Sequence, residues 1–250
     1  MKSLYYLVFI STWYLLRFLF VLNDRFFYVS FLDVGQGDAI VINVPRLGQL
    51  LVDTGADYQS NYMYARGRVF PNCAIKSVFI THYDNDHSGG LQRILRFCRG
   101  ATVYDNLSRG DVLVFNDVRV YMLSPKDKGS THQENDASLV MLVKYNDFEA
   151  LLTGDAGLSV LEAALPVVND LKESNVINGV LDVYKISHHG SLHNSSLQLL
   201  DLLGPLNCVV SVGRNNYGHP SKEVLGAAVS VGCVLYRTDQ DGSVTFASGP

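Results

Sequence analysis

The feature that most constrains this chain is a dense cluster of metal-ligand side chains directly behind an apolar run. Residues 77–80 predict a buried strand, and the seven residues that follow are Thr-His-Tyr-Asp-Asn-Asp-His. Because side chains at i and i+2 of an extended segment point the same way, we expect His82 and Asp84 to bind one ion. Asp86 and His87, beyond a bend, would reach a second ion. Two adjacent divalent metals indicate a hydrolytic site.

A helix is predicted directly after this loop. Leu91, Ile94, Leu95 and Cys98 follow the i, i+3, i+4, i+7 spacing of a helix that packs on one face. Ser88 is the expected N-cap. A strand, an acidic loop and a helix in succession are typical of an active site in an α/β protein.

Length and composition indicate a single globular domain. The 250 residues can bury a sizeable core, and 48% of them are hydrophobic and 18% charged. The net charge of -4 is unlike the basic face of most nucleic-acid-binding proteins. Two divalent ions would add positive charge where a phosphate would lie, so the acidity weakens a nuclease interpretation and leaves it open.

The cysteines give little indication of a disulfide framework. Cys73, Cys98, Cys208 and Cys233 form no C-x-x-C pair, and their number is small for a chain of this length. We therefore expect buried free thiols.

The N-terminal segment is apolar enough to cross a membrane. Residues 4–22 are almost wholly apolar or aromatic, and about 20 such residues span a bilayer. We predict a single uncleaved membrane anchor in residues 1–24 and a hydrolase domain in residues 25–250. The alternative is an N-terminal helix that packs on the fold of this same chain, which would then be cytoplasmic. The few flanking charges leave the membrane orientation undetermined.

The rest of the chain predicts hairpins followed by alternating strands and helices. Asn-Asp pairs at 116–117 and 146–147 mark two hairpin turns. Strands are expected at 28–33, 39–44, 49–53, 112–115, 118–123, 139–145, 148–153, 182–187, 208–212 and 234–237. Helices are expected at 91–98, 158–168, 196–203 and 221–230. This order suits an α/β fold of two facing mixed sheets with helices outside.

The ligand cluster and five further segments carry a resemblance to a known family. Residues 82–87 resemble the H-x-H-x-D-H signature of the metallo-β-lactamase fold, with Asp84 in place of the middle His. The further segments are Phe-Leu-Asp-Val-Gly-Gln-Gly-Asp at 31–38, Leu-Val-Asp-Thr-Gly at 51–55, Leu-Thr-Gly-Asp at 152–155, Ser-His-His-Gly-Ser at 187–191 and Tyr-Gly-His-Pro-Ser at 217–221. Over about residues 31–246 they resemble the C-terminal hydrolase domain of ComEC-type DNA-uptake proteins. The resemblance implies the αββα sandwich, with metals at one end of the sheets.

The resemblance and the local sequence together indicate roles for residues in three further segments. Asp155 would bridge the metals with its two oxygens, although without the resemblance a helix N-cap is an equal alternative. His188 would bind metal and His189 would transfer a proton or contact phosphate, with the order of this pair open. His219, before Pro220, would stabilise the transition state or protonate a leaving oxygen. The alternative is a capping turn with an exposed His.

Other polar residues have less motif support. We expect Asp53 to orient ligand side chains or loop amides, Asp38 to face the site and Asp33 to hold a turn. His132 and His193 are expected on the surface.

One ligand common in metallo-β-lactamase-fold enzymes is missing. Many of them have a further His ahead of the bridging Asp, where residues 135–140 are Asn-Asp-Ala-Ser-Leu-Val. The ComEC-type pattern also lacks that His, so its absence supports the subfamily. Asp136 could supply an oxygen ligand, but a solvated turn is favoured.

The expected ligand set combines imidazole and carboxylate groups without a thiolate. It consists of His82, Asp84, Asp86, His87, Asp155 and His188. Such a set suits two divalent ions, either zinc or, because it is rich in oxygen, manganese. A metal-activated water would attack a phosphodiester. Asp84 or Asp86 would orient the water, and His189 or His219 would stabilise the developing charge.

The resemblance makes DNA the expected substrate, because ComEC-type domains are thought to degrade the strand that is not imported. Only scattered basic residues near the site loops, Lys126, Lys128, Arg214 and Lys222, support this independently. One alternative is hydrolysis of a small ester, lactone or lactam by the same metals. Another is a non-catalytic, membrane-tethered metal-binding module.

Overall fold

The order of strands and helices defines the architecture. A computed structural model describes residues 25–57, 73–125 and 135–249. Its strands are β1 (Phe27–Phe31), β2 (Ile40–Val44), β3 (Gly48–Val52), β4 (Ile75–Phe79), β5 (Thr102–Tyr104), β6 (Val112–Phe115), β7 (Val118–Ser124), β8 (Val140–Tyr145), β9 (Phe148–Leu152), β10 (Val183–Lys185), β11 (Asn207–Val210), β12 (Val234–Arg237) and β13 (Val244–Ser248). Its helices are α1 (Asn85–Ser88), α2 (Leu91–Phe97), α3 (Leu158–Glu173), α4 (Leu197–Leu203), α5 (Lys222–Ser230) and α6 (Thr238–Asp241).

The strands form two mixed sheets that face each other. One has the order β13-β1-β2-β3-β4-β5 and the other β12-β11-β10-β9-β8-β7-β6. Alternate side chains of both sheets point into the space between them, where Phe27, Ile42, Phe79, Val143 and Val209 belong to one buried cluster. The ring of Phe27 in the first sheet stacks on Tyr145 in the second, with 4.5 Å between ring centroids. This inter-sheet layer is the central core.

Helices cover the outer face of each sheet. Ile94 of α2 packs with Val78 and Ile80 on the six-stranded sheet. Leu161 of α3 and Leu200 of α4 pack on the seven-stranded sheet. Each helix buries one apolar stripe against a sheet, which gives the four layers of an αββα sandwich. The expected fold class is therefore confirmed for the described domain.

Parallel pairing collects the loops that follow several strands at one edge of the sandwich. In the first sheet β3 is parallel to β4, and in the second β9, β10 and β11 are parallel. The loops after these strands contain nearly all of the candidate site residues. Ligands of open α/β sheets bind at the carboxyl ends of strands for the same geometric reason.

The predicted elements are found with shifts of one or two residues at most strand ends. The main difference among the helices is α3, which continues through Pro166 to Glu173. The sequence did not predict β5, β13, α1 or α6, which are short or lie at a sheet edge and show too few residues for a clear period. The Ser88 cap is wrong: Gly90 precedes α2, whereas the Ser88 hydroxyl donates to the backbone oxygens of Tyr83 and Asp84.

The predicted membrane anchor in residues 1–24 lies outside the described residues. Within the part of the chain that is described, no helix combines the length and apolarity needed to cross a bilayer.

The expectation of free thiols is wrong. Cys73 is bonded to Cys98, and Cys208 to Cys233, with Cα–Cα distances of 5.3 and 5.9 Å. The first bond joins the segment before β4 to the end of α2, and the second joins β11 to the turn before β12. Partners 25 residues apart in sequence meet only because these elements pack together. No local spacing rule indicates such pairs.

The Cys208–Cys233 bond is expected to stabilise the domain by about 3 kcal/mol, from the loop entropy that it removes from the unfolded chain. The variant with both cysteines changed to Ser should lose about this much in the free energy of unfolding, measured by urea denaturation. Iodoacetamide should not label the unreduced, denatured wild type. Labelling of two or more thiols there would contradict the pairing.

Candidate metal centre

His82 and His87 lie side by side in the loop after β4. The short helix α1 begins after Asp84 and turns His87 back toward the sheets, so its ring centroid lies 4.1 Å from that of His82. Both side chains are buried, while the carboxylates of Asp84 and Asp86 remain partly exposed. The Nε2 atom of His82 is 3.5 Å from an oxygen of Asp84.

Asp155 occupies the centre of the cluster. Its Oδ1 lies 3.2 Å from His87 Nε2, and its Oδ2 lies 4.0 Å from His82 Nε2. Gly154 permits this position, because its φ is +51° and a Cβ there would lie 2.9 Å from the Cβ of Thr81. The two loops that contain the ligands can therefore approach closely only with glycine at this position.

The histidine pair after β10 is arranged differently from the expected order. His189 is buried and its Nε2 lies 3.3 Å from Asp86 and 3.6 Å from Asp155. His188 is 27% exposed in its side chain, and its Nε2 lies 3.7 Å from Asp155. Among the described residues, several sets of three His or Asp side chains place their ligand atoms within 4.8 Å of one another. His189 belongs to two of these sets and His188 to none. The geometry thus favours His189 as the ligand.

A second layer of hydrogen bonds fixes the imidazole tautomers. His87 Nδ1 donates to Asp53 at 2.8 Å, and His189 Nδ1 donates to the backbone oxygen of Ser211 at 2.8 Å. The Thr81 hydroxyl donates to Asp53 at 2.7 Å and can therefore accept from His82 Nδ1 at 3.1 Å. In each neutral ring the proton is then on Nδ1, which leaves Nε2 free to bind metal. Asp53 has the orienting contacts expected for it.

Lys185 is a site residue that the motif analysis missed. It ends β10 fully buried, and its ammonium lies 2.6 Å from Asp38 and 3.8 Å from Asp155. It also donates to the backbone oxygen of Gly154 at 2.9 Å. The signal in the sequence was a lysine in a buried strand, between the apolar residues Val183-Tyr184 and Ile186. A lysine is almost never fully buried unless an opposite charge pairs with it. Asp38 faces the site as expected.

The buried charges shift one another's ionisation. Burial opposes protonation of His87, but Asp155 and Asp53 outweigh it and raise the pKa of His87 well above its usual value. Burial likewise favours protonated Asp155, but His87 and His189 hold its pKa well below the usual range. Burial and neighbouring His87 lower the pKa of His82. Without metal, protonated His87 and Lys185 partly balance the carboxylates.

The residues present fit a pair of divalent ions. The buried Nε2 atoms of His82, His87 and His189 and Oδ1 of Asp155 make no well-directed hydrogen bond among the described residues, although each of these imidazoles lies within 4.0 Å of an Asp155 oxygen. Buried polar groups are rarely left unpaired unless an ion or ligand satisfies them. Five carboxylates and one ammonium converge here, so the side chains are strongly negative when the imidazoles are neutral. Divalent cations would supply the balancing charge.

The remaining predicted residues divide between the cavity and its surroundings. A cavity of about 210 Å³ opens at the cluster and is lined by Gln36, Asp84, Asp86, Asp155, His188, His189, Tyr217 and His219. Asp136 instead lies beside Gly157 at the start of α3, and Asp33 accepts from the amide of Gly35 in its turn. His193 is exposed, and His132 lies outside the described residues.

Lys185→Met is expected to destabilise the metal-free protein by about 3–5 kcal/mol, because a buried carboxylate loses its partner. Zinc or manganese should reduce this loss relative to the wild type, because the ions supply the positive charge that the ammonium supplied and so stabilise the folded variant more than the folded wild type. Urea denaturation with and without metal measures both effects. Lys144→Met, which removes the ammonium 3.4 Å from Glu149 away from the cluster, is the matched control and should show no recovery. Equal losses for Lys185→Met in both conditions would contradict this account.

Comparison with known sequences agrees with the motif analysis. A model of the family described as the metallo-beta-lactamase superfamily matches residues 32–107. ComE operon protein 3 of Bacillus subtilis strain 168 is 25% identical over 261 residues, covering 87% of this chain and 32% of the relative. Recombination protein 2 of Haemophilus influenzae is 29% identical over 208 residues, covering 75% of this chain and 24% of the relative. The chain spans about a third and a quarter of the length of these relatives.

Comparison with solved structures concerns the fold. The metallo-beta-lactamase fold protein YhfI from Bacillus subtilis matches with a TM-score of 0.59 at 9% identity. The match covers 89% of this chain and 100% of that protein. The four layers, the matched motif segment and the two similar sequences lead to one conclusion. The chain is a metallo-β-lactamase-fold protein that resembles the ComEC-type competence proteins.

Proposed function

We propose that this protein is a two-metal phosphodiesterase that cleaves nucleic acid. The observation that carries the proposal is the central carboxylate of Asp155, which lies within 4.0 Å of three buried imidazoles, with Oδ1 beside His87 and Oδ2 beside His82 and His189. One ion would be held by His82, Asp84 and Asp155. The other would be held by Asp86, His87, His189 and Asp155. This assignment exchanges the roles that the sequence suggested for His188 and His189.

The ligand chemistry supports zinc or manganese. Each ion would have both imidazole and carboxylate ligands, and the carboxylate share favours manganese more than an all-histidine site would. When bound, two such ions supply an activated water and a charge clamp for the reacting phosphate. The protein's own contribution is orientation, because Asp53, Thr81 and Ser211 fix the rings of the proposed ligands His87, His82 and His189.

His188 and His219 are placed to contact the substrate. Their rings lie 5.4 Å apart in the cavity wall, and burial lowers the pKa of both. Near neutral pH they are therefore neutral and can each donate one N–H to a phosphoryl oxygen. We assign them to holding the phosphate, with His219 also close enough to the open side to serve a leaving oxygen.

The resemblance to the two competence proteins supports DNA as the substrate. Both relatives align over most of this chain, although this chain covers a minor part of each. A polar cavity that is lined by several of the proposed metal ligands and open to solvent also suits one phosphodiester of a long chain better than an enclosed pocket would. We further propose that residues 4–22 associate the protein with a membrane, consistent with their apolar composition.

The first test is cleavage of labelled DNA and RNA by the full chain, kept in mild detergent and loaded with manganese or zinc. We expect chelation to abolish cleavage and Asp155→Ala to slow it at least about 100-fold, because it removes a ligand shared by both ions. Asp201→Ala, an exposed change on α4, is the matched control. If the metal-loaded wild type cuts neither polymer but hydrolyses a small ester, lactone or lactam, the nuclease proposal fails. Two bound metals without any hydrolysis would favour the non-catalytic module.

The exchange of the histidine roles can be tested separately. His189→Ala is expected to reduce the bound metal from two ions to about one per chain, because only one of the two proposed ion sites includes His189. His188→Ala should retain both ions and mainly raise KM. Metal content after equilibrium dialysis, measured by mass spectrometry, distinguishes the two. Loss of metal only in His188→Ala would restore the order suggested by the sequence.

A further inference from the structure

An exposed aromatic ring stands at the mouth of the metal cavity. Tyr217 is 77% exposed, yet it lines the same cavity as Asp155 and His219. Its ring centroid lies 5.8 Å from that of His219, with an angle of 35° between the ring planes. One face of the ring is thus available to solvent beside the position proposed for a phosphate. The proposed chemistry makes no use of this side chain.

The loop that presents Tyr217 is organised from within. Asn215 accepts, through its side-chain oxygen, from the amides of Tyr217 and His219 at 3.0 and 3.1 Å. Its side-chain nitrogen donates to the backbone oxygens of Gly213 and His219 at 2.9 and 2.8 Å. Four hydrogen bonds from one side chain hold Tyr217 and His219 in a fixed relation. An aromatic ring on a preorganised loop loses little entropy when it binds a partner.

Both ends of the loop are also attached to the site. Gly213 packs directly on the Gly35–Gln36 backbone, and its amide donates to the Gln36 side chain at 3.3 Å. At the other end the amide of Ser221 donates to the backbone oxygen of Gly190, next to the histidine pair. Both ends of the Tyr217 loop are therefore held against segments next to the candidate metal ligands.

We propose that the ring of Tyr217 stacks on a base next to the scissile phosphate and selects single-stranded nucleic acid. The inference rests on the proposed phosphodiesterase function. A base can stack on a protein ring only when its own stack is open, which a single strand provides and a duplex does not. Every base has a π face, so the preference is for strandedness and not for sequence. The exposed Arg214 and Lys222, at either end of the loop, supply positive charge for the neighbouring phosphates.

The test compares binding of two labelled strands by the full chain in the presence of EDTA, which keeps both strands from being cleaved. One is a strand of about ten thymidines and the other a strand of equal length and charge made of abasic residues. Affinities are measured by fluorescence anisotropy, and each strand is sized afterwards to verify that it is intact. We expect the wild type to bind the thymidine strand about tenfold more tightly, which corresponds to one stacked base. A duplex of equal length should bind less tightly than the thymidine strand.

Three variants identify the cause of the preference. Tyr217→Ala should bind both strands about equally, whereas Tyr217→Phe, which keeps the ring, should retain the preference. Phe97→Ala removes an exposed aromatic ring that does not line the cavity, and it should behave as the wild type. Equal binding of both strands by the wild type would overturn the inference. Equal loss in Tyr217→Phe and Tyr217→Ala would also overturn it, because the hydroxyl and not the ring would then matter.

Hydrolysis of the abasic strand by the manganese-loaded full chain, whose substrate phosphodiesters then have no base beside them, separates this inference from the proposed function. Tyr217→Ala should leave kcat/KM for the abasic strand unchanged while raising KM for the thymidine strand. If the wild type hydrolyses neither strand but binds bases through Tyr217, the phosphodiesterase proposal fails and the stacking inference stands. If the wild type hydrolyses the abasic strand but shows no binding preference for the thymidine strand, the phosphodiesterase proposal stands and the stacking inference fails.

Discussion

The crowding of carboxylates around Asp155 is the constraint to which the rest of the site responds. Asp38, Asp53 and Asp155 are almost fully excluded from water, where an uncompensated charge costs several kcal/mol. Lys185 is buried with them, and the nearby imidazoles lie within ion-pair distance. In the metal-free protein these groups balance part of the charge, and bound divalent ions would complete the balance. Stability and metal binding are thus two consequences of one electrostatic arrangement.

The sandwich brings these groups together by aligning the ends of strands from both sheets. The first sheet contributes Asp53 and the loop with His82 and His87, and the second contributes Asp155 and His189. Asp53, His188 and His189 all have positive φ values, which cost a non-glycine residue about 1–2 kcal/mol each. Such strain persists only where surrounding contacts enforce it, and it is concentrated at functional sites. The free energy of packing in the inter-sheet core offsets the cost of these backbone conformations.

The cavity has two kinds of wall. Carboxylates and imidazoles form the inner wall, where the metals and the reacting phosphate would lie. The outer wall is the loop ordered by Asn215, with an exposed ring next to a neutral histidine. The inner wall would provide the chemistry common to the fold, and the outer wall would determine which polymer reaches it.

The sequence by itself determined the sandwich and predicted most of the side chains that the structure brings together at the candidate centre. Buried strands and amphipathic helices have periods that can be counted, and the ligand loop is contiguous between 82 and 87. Only the tertiary structure decided which of His188 and His189 points inward, because adjacent residues diverge and their backbone angles depend on the loops packed around them. It also decided the pairing of the cysteines and the burial of Lys185 beside Asp38. These contacts join segments distant in the chain, and local spacing has no information about such distances.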